Sequence, residues 1–401
     1  MTALHAYSHS FNDIVSWLQE TGKSNPLWII SKSAYTKYNL ENKITQFNNV
    51  IKKNKTNTDI AIILWNQENP SFEQLSFQIK PYLKQASDID VLIAIGGGSA
   101  IDAAKFFSLA LAHQQVDSSL LNIKNTTPLP AIKTIIAVPT TCGTGSEITP
   151  FLVCYQDAIK YSIEHPSIRP QCAILDPELL TKLPRHVFFY SIFDALTQAI
   201  ESIWSCQSTT HSIQYAEQAI KRILDVYSQI CEQFSQEHQS IKETSIDSNT
   251  LLHLQKAAYE SGQAIALTRT TAAHAISYGL TTHLKIPHGY AVFLTLPHVM
   301  RLLNTANQED CQDPKGFEHL KGKISIICKR FNVNDLQQLS SIIEHFLLQA
   351  NFGLAIKNVS VDTITLCQSV NWQRMHNHPQ ILSTQHIQNI YQQLIPSNMA
   401  T

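Results

Sequence analysis

The strongest constraint on the fold is an alternation that stops part-way along the chain. Up to residue 183, short runs rich in β-branched and aliphatic residues alternate with amphipathic stretches; beyond it strand signals almost vanish. The runs lie at 27–31 (LWIIS), 59–65 (DIAIILW), 91–95 (VLIAI) and 132–138 (IKTIIAV), with helix-like stretches at 40–53, 71–85 and 100–112 between them. Strands spaced by the length of a helix predict βαβ units and a mostly parallel sheet covered on both faces. Runs at 151–155 and 161–164 flank a polar turn and read as a hairpin, and 173–175 adds a last strand closed by Asp176-Pro177. After Leu183-Pro184 come long helical patterns at 186–204, 209–234 and 251–267, a polar loop at 236–249, and further helices to Leu394. The reading is an α/β domain over 1–183 followed by an all-α domain over 184–401, with ligand sites favouring the seam.

Charge narrows the function classes. Thirty basic and 31 acidic side chains leave a net charge of −1, which gives no field to hold a nucleic acid or an anionic membrane. No uncharged apolar stretch approaches the ~20 residues of a membrane helix. The start, MTALHAYSHSFNDIVSWLQE, lacks the basic and apolar regions of a secretory signal. Eight scattered cysteines without a CxxC pair read as reduced thiols, Cys142 among them as a small packing residue, and the expected location is cytoplasmic.

The chain has only 12 glycines, and five of them are Gly96, Gly97, Gly98, Gly143 and Gly145. In VLIAIGGGSAIDAAK a buried strand runs through three glycines and Ser99 into a helix. Glycine lets backbone approach a ligand, and the helix start offers free N–H groups and a positive dipole end, a combination that suits a pyrophosphate. Ser99 is placed as a helix cap or phosphate donor. Tight turns use the same residues, so this motif alone leaves both readings open. In IIAVPTTCGTGSEITP another strand ends in Thr140, Thr141, Gly143, Thr144, Gly145 and Ser146. Such a loop presents donors where open α/β sheets bind ligands; the plain alternative is a turn that caps a helix through Ser146 or Glu147. Two such loops in one sheet favour a ligand.

In the helical half, FDALTQAIES puts Asp194 and Gln198 on one helical face, and TAAHAISYGLTTHLKIPHGYAV supplies His274 and His288 with His283 between them. An Asp and two His from different helices make a three-ligand set for a divalent metal with positions left open. Taken singly, each residue also fits an ordinary hydrogen-bonding role.

Five motifs in order, GGGSAIDAAK, PTTCGTGSEITP, DPELLTKLP, DALTQAIES and HLKIPHGYAVFLTLPHVM, resemble the iron-containing (type III) alcohol dehydrogenase family. The resemblance implies a Rossmann-like α/β domain, a helical domain of the dehydroquinate synthase-like type, an active site in the cleft between them, and a dimer or larger homo-oligomer. It implies cofactor pyrophosphate at Gly96, Gly97, Gly98 and Ser99, with Asp102 and the loop of Thr140, Thr141, Thr144 and Ser146 nearby. It further implies Asp194, Gln198, His274 and His288 as ligands of one divalent ion, Fe2+ or Zn2+. Most of the family carries histidine at the second ligand position; Gln198 offers a weaker, neutral amide oxygen. Many members have a histidine proton relay where this chain has Tyr278, so Tyr278, His283 or metal-bound water is expected to supply the proton. The family often has a carboxylate after the first strand, whereas this chain has Ser31-Lys32-Ser33, which tilts the cofactor from NADH towards NADPH.

Gln198 within DALTQAIES, the following IWS, and RTTAAHAISYGLTTHLKIPHG resemble one branch, the phosphonoacetaldehyde reductases (hydroxyethylphosphonate dehydrogenases). Arg269, Thr270 and Thr271 offer a guanidinium and two hydroxyls for a phosphonate, with a surface charge and two caps as the alternative. The implied reaction is hydride transfer between a nicotinamide and a small aldehyde, with the metal as Lewis acid. Other readings are a neutral or carboxylate-bearing aldehyde, a dehydroquinate synthase-like lyase, and a degenerate nucleotide-binding protein.

Overall fold

The computed structural model describes residues 6–8, 10–51, 60–124, 126–157, 159–236, 246–356 and 361–395. Of the expected elements, positions 52, 53 and 59 and most of the 236–249 loop (237–245) lie outside the described residues. The chain divides into two compact units, Met1–Pro184 with Lys242–Gln255, and Arg185–Ile241 with Lys256–Thr401. A single cut at 183 therefore misses one segment: the start of the Ser248–Thr268 helix belongs with the first unit. There Gln255 donates to the carbonyls of Pro139 and Asp176, 3.4 and 3.2 Å away.

The first unit is built on eight strands: β1 (Ala6–Ser8), β2 (Pro26–Ser31), β3 (Ala61–Trp65), β4 (Val91–Gly96), β5 (Thr134–Pro139), β6 (Phe151–Gln156), β7 (Ile159–Glu164) and β8 (Cys172–Ile174). Six form one sheet in the order β1-β8-β5-β4-β2-β3, every pair parallel, and β6 and β7 form a separate antiparallel hairpin. The sheet is buried on both sides because its strands are apolar throughout. Leu27, Ile29, Leu92, Ala94, Ile135 and Ala137 enter one core cluster, with the Gly98–His113 helix. The intervening Trp28, Ile30, Val91, Ile93, Ile136 and Val138 enter the other, with Ile14, Leu18, Leu40 and Ile44 from the helices Asp13–Thr21 and Leu40–Ile51. Period-two side chains and two helical layers are the same fact seen from two sides.

Strand order decides where a ligand can sit. The chain leaves β2 for β3 on one side and returns as β4 on the other, so the topological switch lies between β2 and β4. Their carboxyl ends carry Ser31 and Gly96, the positions where open sheets bind ligands. Register puts Gly96 opposite Pro139, and the Thr140 N–H donates to the Gly96 carbonyl at 3.0 Å, so the two glycine-bearing loops leave the sheet side by side.

Some sequence expectations shift. The 71–85 stretch is helical only over Phe72–Ile79 and then tightens into a 3₁₀ turn at Lys80–Gln85, because Pro81 lacks an N–H and blocks the α-helical ladder. β1 is an addition; three residues are too few for an alternation to show. The second unit is helical, with β pairing limited among its described residues to an isolated bridge between Cys311 and Gln380. Among the described residues no helix is long and apolar enough to cross a membrane. All eight cysteines are free, and burial pushes the Cys142 thiol up to about 12, as befits a packing residue.

Candidate active site

The Arg185–Trp204 helix is apolar on nearly every face, and from Phe188 to Trp204 it is almost wholly buried. It therefore carries Asp194, Gln198 and Glu201 inside, at 3%, 4% and 0% exposure. Buried polar groups at this depth must be paired or they cost several kcal/mol each. Their partners build the site.

Asp194 meets two histidines from other helices. His274 lies in the first turn of the Ala272–Leu284 helix, and His288 opens the His288–Asn304 helix. His274 Nε2 is 3.3 Å and His288 Nε2 3.9 Å from Asp194 Oδ1, and one ligand atom from each of the three residues falls within 4.8 Å of the others. One carboxylate oxygen and two imidazole nitrogens suit a borderline divalent ion such as Fe2+ or Zn2+, so the donor set fits the metal that the sequence implies. Gly289 is what allows the approach: a Cβ there would lie 1.9 Å from the Tyr190 carbonyl oxygen.

Glu201 was not singled out in the sequence, although it lies two helical turns after Asp194 on the same face. Its carboxylate holds His274 Nδ1 at 2.5 Å and also accepts from the Thr271 hydroxyl and the Thr271 and Ala273 N–H groups. This fixes the tautomer, so Nε2 is the nitrogen turned to Asp194. Burial works against both carboxylates, yet their bonds to His274 and its charge outweigh it and hold Asp194 and Glu201 below the usual range. Burial likewise pulls the His274 imidazole down, and the two carboxylates more than reverse this, raising it to about 9.

Gln198 lies one turn after Asp194 on the same helix. Its Oε1 accepts from the Ser261 hydroxyl at 3.1 Å, and its side chain also bonds to Asp194. These bonds place it beside the carboxylate of Asp194.

The remaining predicted residues divide. Tyr278 is one turn beyond His274 and nearly buried, on the same helical face. His283 is half the helix circumference away from His274, exposed, and bonded to Ser369 at 2.7 Å. The trio Arg269, Thr270 and Thr271 does not converge. Thr271 gives its hydroxyl proton to Glu201 at 2.7 Å and accepts from Trp204 Nε1 at 2.9 Å. Arg269, at φ 57°, donates to Gln207 at 2.9 Å on an exposed side. The Thr270 hydroxyl accepts from Arg374, whose Nε donates to the Tyr278 hydroxyl at 3.1 Å.

In the first unit the glycines serve the contact between the two loops. A Cβ on Gly98 would lie 2.9 Å from Thr144 Cγ2, and one on Gly97 3.3 Å from Thr141 Cγ2. The helix cap is Gly97, not Ser99, whose hydroxyl donates to the Glu68 carbonyl. Behind the loops lies a buried network. Asp102 accepts from the Ser146 hydroxyl at 2.6 Å and the Val153 N–H at 2.9 Å, while Lys105 donates to Ser146 at 2.8 Å and the Phe151 carbonyl at 2.6 Å. Burial lowers Lys105 to about 8 and raises Glu147 to about 7. Asp102 and Ser146 thus tie the loops together. The helix start below them, with N–H groups that no helical carbonyl can reach, fits a pyrophosphate.

Comparison with known proteins agrees with both halves. The family description "Iron-containing alcohol dehydrogenase" matches residues 3–177, and its "Fe-containing alcohol dehydrogenase family, C-terminal" counterpart matches residues 188–395. The chain belongs to the iron-containing alcohol dehydrogenase family. Among curated relatives, phosphonoacetaldehyde reductase of Streptomyces viridochromogenes is 36% identical over 241 residues, 58% of this chain and 58% of that protein. The 4-hydroxybutyrate dehydrogenase of Clostridium kluyveri is 32% identical over 52% of this chain and 54% of its own length. Each match thus spans less than two thirds of the relative's length. Among solved structures, the chain is similar to sulfoacetaldehyde reductase from Bifidobacterium kashiwanohense in complex with NAD+, at a TM-score of 0.77 and 21% identity, covering 99% of this chain and 98% of that one. Members of the family bind NAD(P)H and a metal, and the two fitted sites fall in the units matched by the two family descriptions.

Proposed function

We propose that this chain is a metal-dependent NAD(P)H aldehyde reductase, or alcohol dehydrogenase in reverse, and that phosphonoacetaldehyde is its substrate, reduced to 2-hydroxyethylphosphonate. The observation that carries the reaction class is the set of buried Asp194 and His274 with part-exposed His288, and Glu201 behind it. The 36% identity to a phosphonoacetaldehyde reductase supports the substrate.

When bound, a divalent ion supplies Lewis acidity at the carbonyl oxygen and the reduced nicotinamide supplies a hydride for the carbonyl carbon. The protein's own tasks are positional. Asp194, His274 and His288 hold the ion, Glu201 locks the His274 tautomer, and Gln198 steadies Asp194. Tyr278, on the His274 face, carries the hydroxyl proton that the alcohol oxygen takes up. Gly97, Gly98 and the Thr140–Ser146 loop (140–146) hold the pyrophosphate, and Lys32, directly after β2, favours the extra phosphate of NADPH.

The test is NADPH and NADH oxidation with phosphonoacetaldehyde, propanal, lactaldehyde and succinic semialdehyde, with chelator and with metal restored. Activity that survives complete metal removal overturns the mechanism, and equal rates on neutral aldehydes overturn the substrate. A lyase would regenerate its cofactor, so stoichiometric loss of NAD(P)H separates that reading.

A further inference from the structure

The Gly98–His113 helix is apolar along almost its whole length, yet it carries a lysine in its interior. Lys105 is fully buried, two turns after Gly98, in a stretch where Ala103, Ala104, Phe106 and Phe107 are buried too. Taking an ammonium out of water costs several kcal/mol, and an apolar side chain of similar volume in its place is often neutral or stabilising. Stability alone therefore does not call for a charge here. Its partners show what the charge does.

Lys105 donates to the Ser146 hydroxyl at 2.8 Å, the Phe151 carbonyl at 2.6 Å and the Thr149 hydroxyl at 3.4 Å, and it lies 3.7 Å from Asp102 Oδ1. An ammonium has three N–H groups, so all three reach from the helix to one stretch of chain, 146–151. Ser146 relays this hold. Its hydroxyl accepts from Lys105 and donates to Asp102 at 2.6 Å, and its N–H donates to the Thr144 hydroxyl at 3.2 Å. Thr144 in turn abuts the helix start, where a Cβ on Gly98 would lie 2.9 Å from Thr144 Cγ2. The chain of contacts from Lys105 through Ser146 and Thr144 thus ends at the first helical residue.

We propose that Lys105 is a positioning residue for the dinucleotide: its charge holds the 140–146 loop against the start of the Gly98–His113 helix, and dinucleotide affinity follows that charge. A neutral amine has two N–H groups for the same three acceptors, so one acceptor loses its donor. Asp102 also loses the opposite charge that offsets its burial. The loop then no longer has one fixed place beside the helix start, and ordering it adds to the cost of binding. The groups that face Lys105 set the pH at which this happens. Burial lowers Lys105 to about 8; Asp102 on its own helix and Glu147 from the loop oppose the fall, and Arg169, after the Pro166–Ile168 turn, adds to it. Lys160 of β7 acts on Asp102. The charged form holds the cofactor, so affinity is present below about pH 8 and is lost as the pH rises past it.

The inference rests on the dinucleotide site of the reductase reading, and its test separates the two. The tighter binder of NADH and NADPH is titrated into the full-length protein, and its dissociation constant is read from fluorescence between about pH 7 and about pH 9, where the pyrophosphate does not titrate. The wild type is expected to bind about tenfold more weakly at the upper end than at the lower. Lys105→Met should already bind about tenfold more weakly at about pH 7 and show no further change up to about pH 9. A merely structural lysine would weaken binding without flattening the profile. Glu147→Gln removes a charge that raises Lys105, so its fall should come at lower pH. Should Lys105→Met fail to fold, the wild-type and Glu147→Gln profiles carry the decision. A wild-type constant that stays level across the range overturns the proposal. So does wild-type-like binding by Lys105→Met, a Lys105→Met profile that still falls, or a profile that Glu147→Gln flattens. If the wild type binds a dinucleotide but reduces no aldehyde, the reductase reading fails and these constants still decide the role of Lys105; if it binds neither NADH nor NADPH, both fall.

Discussion

Glu201 Oε2 lies 2.5 Å from His274 Nδ1, and the opposite ring nitrogen faces Asp194 at 3.3 Å. A carboxylate behind a metal-binding histidine does two things: it fixes which nitrogen points forward, and it makes that nitrogen a better donor. Here the same carboxylate also ties down the start of the helix that carries the histidine.

Glu201→Gln is therefore expected to lower metal affinity by about 10–100-fold while leaving Asp194, His274 and His288 in place. Competition against a chelator of known strength measures this. An affinity equal to that of the wild type would mean that Glu201 only supports the fold.

Gln198→Met keeps the volume and removes the bonds to Ser261 and Asp194. Metal stoichiometry should stay at one ion per chain, with affinity reduced about tenfold by the loosened carboxylate. Elemental analysis after dialysis is the check; loss of bound metal altogether would make Gln198 a ligand after all.

Gly289→Ala places a methyl group 1.9 Å from the Tyr190 carbonyl oxygen and 3.3 Å from the Asp194 Cβ. Backbone cannot yield as a side-chain tip can, so the helix that starts at His288 must move. The expected cost is about 3 kcal/mol or more in urea unfolding, together with loss of stoichiometric metal. A variant that unfolds like the wild type would show that the helix start is free to adjust.

Glu147 gives a pH signature. Burial raises it from 4.5 to about 7, with the nearby Lys105 opposing the rise. The folded protein therefore holds this proton more tightly than the unfolded chain, and stability is lost as pH rises from 4.5 to about 7, by up to about 3 kcal/mol. Glu147→Gln should flatten this part of the profile, measured as urea unfolding at pH 5 and pH 7.5. An unaltered slope would assign the pH dependence to other groups.

Much of the fold was legible in local pattern. Apolar runs such as LWIIS and VLIAI alternate with helix-length segments, and each became a parallel strand because side chains on both faces had somewhere apolar to go. That Asp194, His274 and His288 would converge was legible because their residue types and the motifs around them were distinctive. The Arg269 bond to Gln207 was not legible, because the two residues are far apart in sequence and meet only in the folded chain. Glu201 lay within a motif already noted, DALTQAIES, and its two-turn spacing from Asp194 was the available signal. The bonds from Arg374 to Thr270 and Tyr278 had none, because about a hundred residues separate the partners.

By itself, then, the sequence determined which segments became strands and helices, where the glycine loops leave the sheet, and which side chains have metal-binding chemistry. These follow from periodicity and residue type, which act over a few neighbouring positions. Only the tertiary structure decided that Gln198 steadies Asp194, that Glu201 stands behind His274, and that Arg374 joins Thr270 and Tyr278. Those outcomes depend on which buried polar group finds which partner across helices, and a buried group takes whatever partner the packing brings within hydrogen-bond distance.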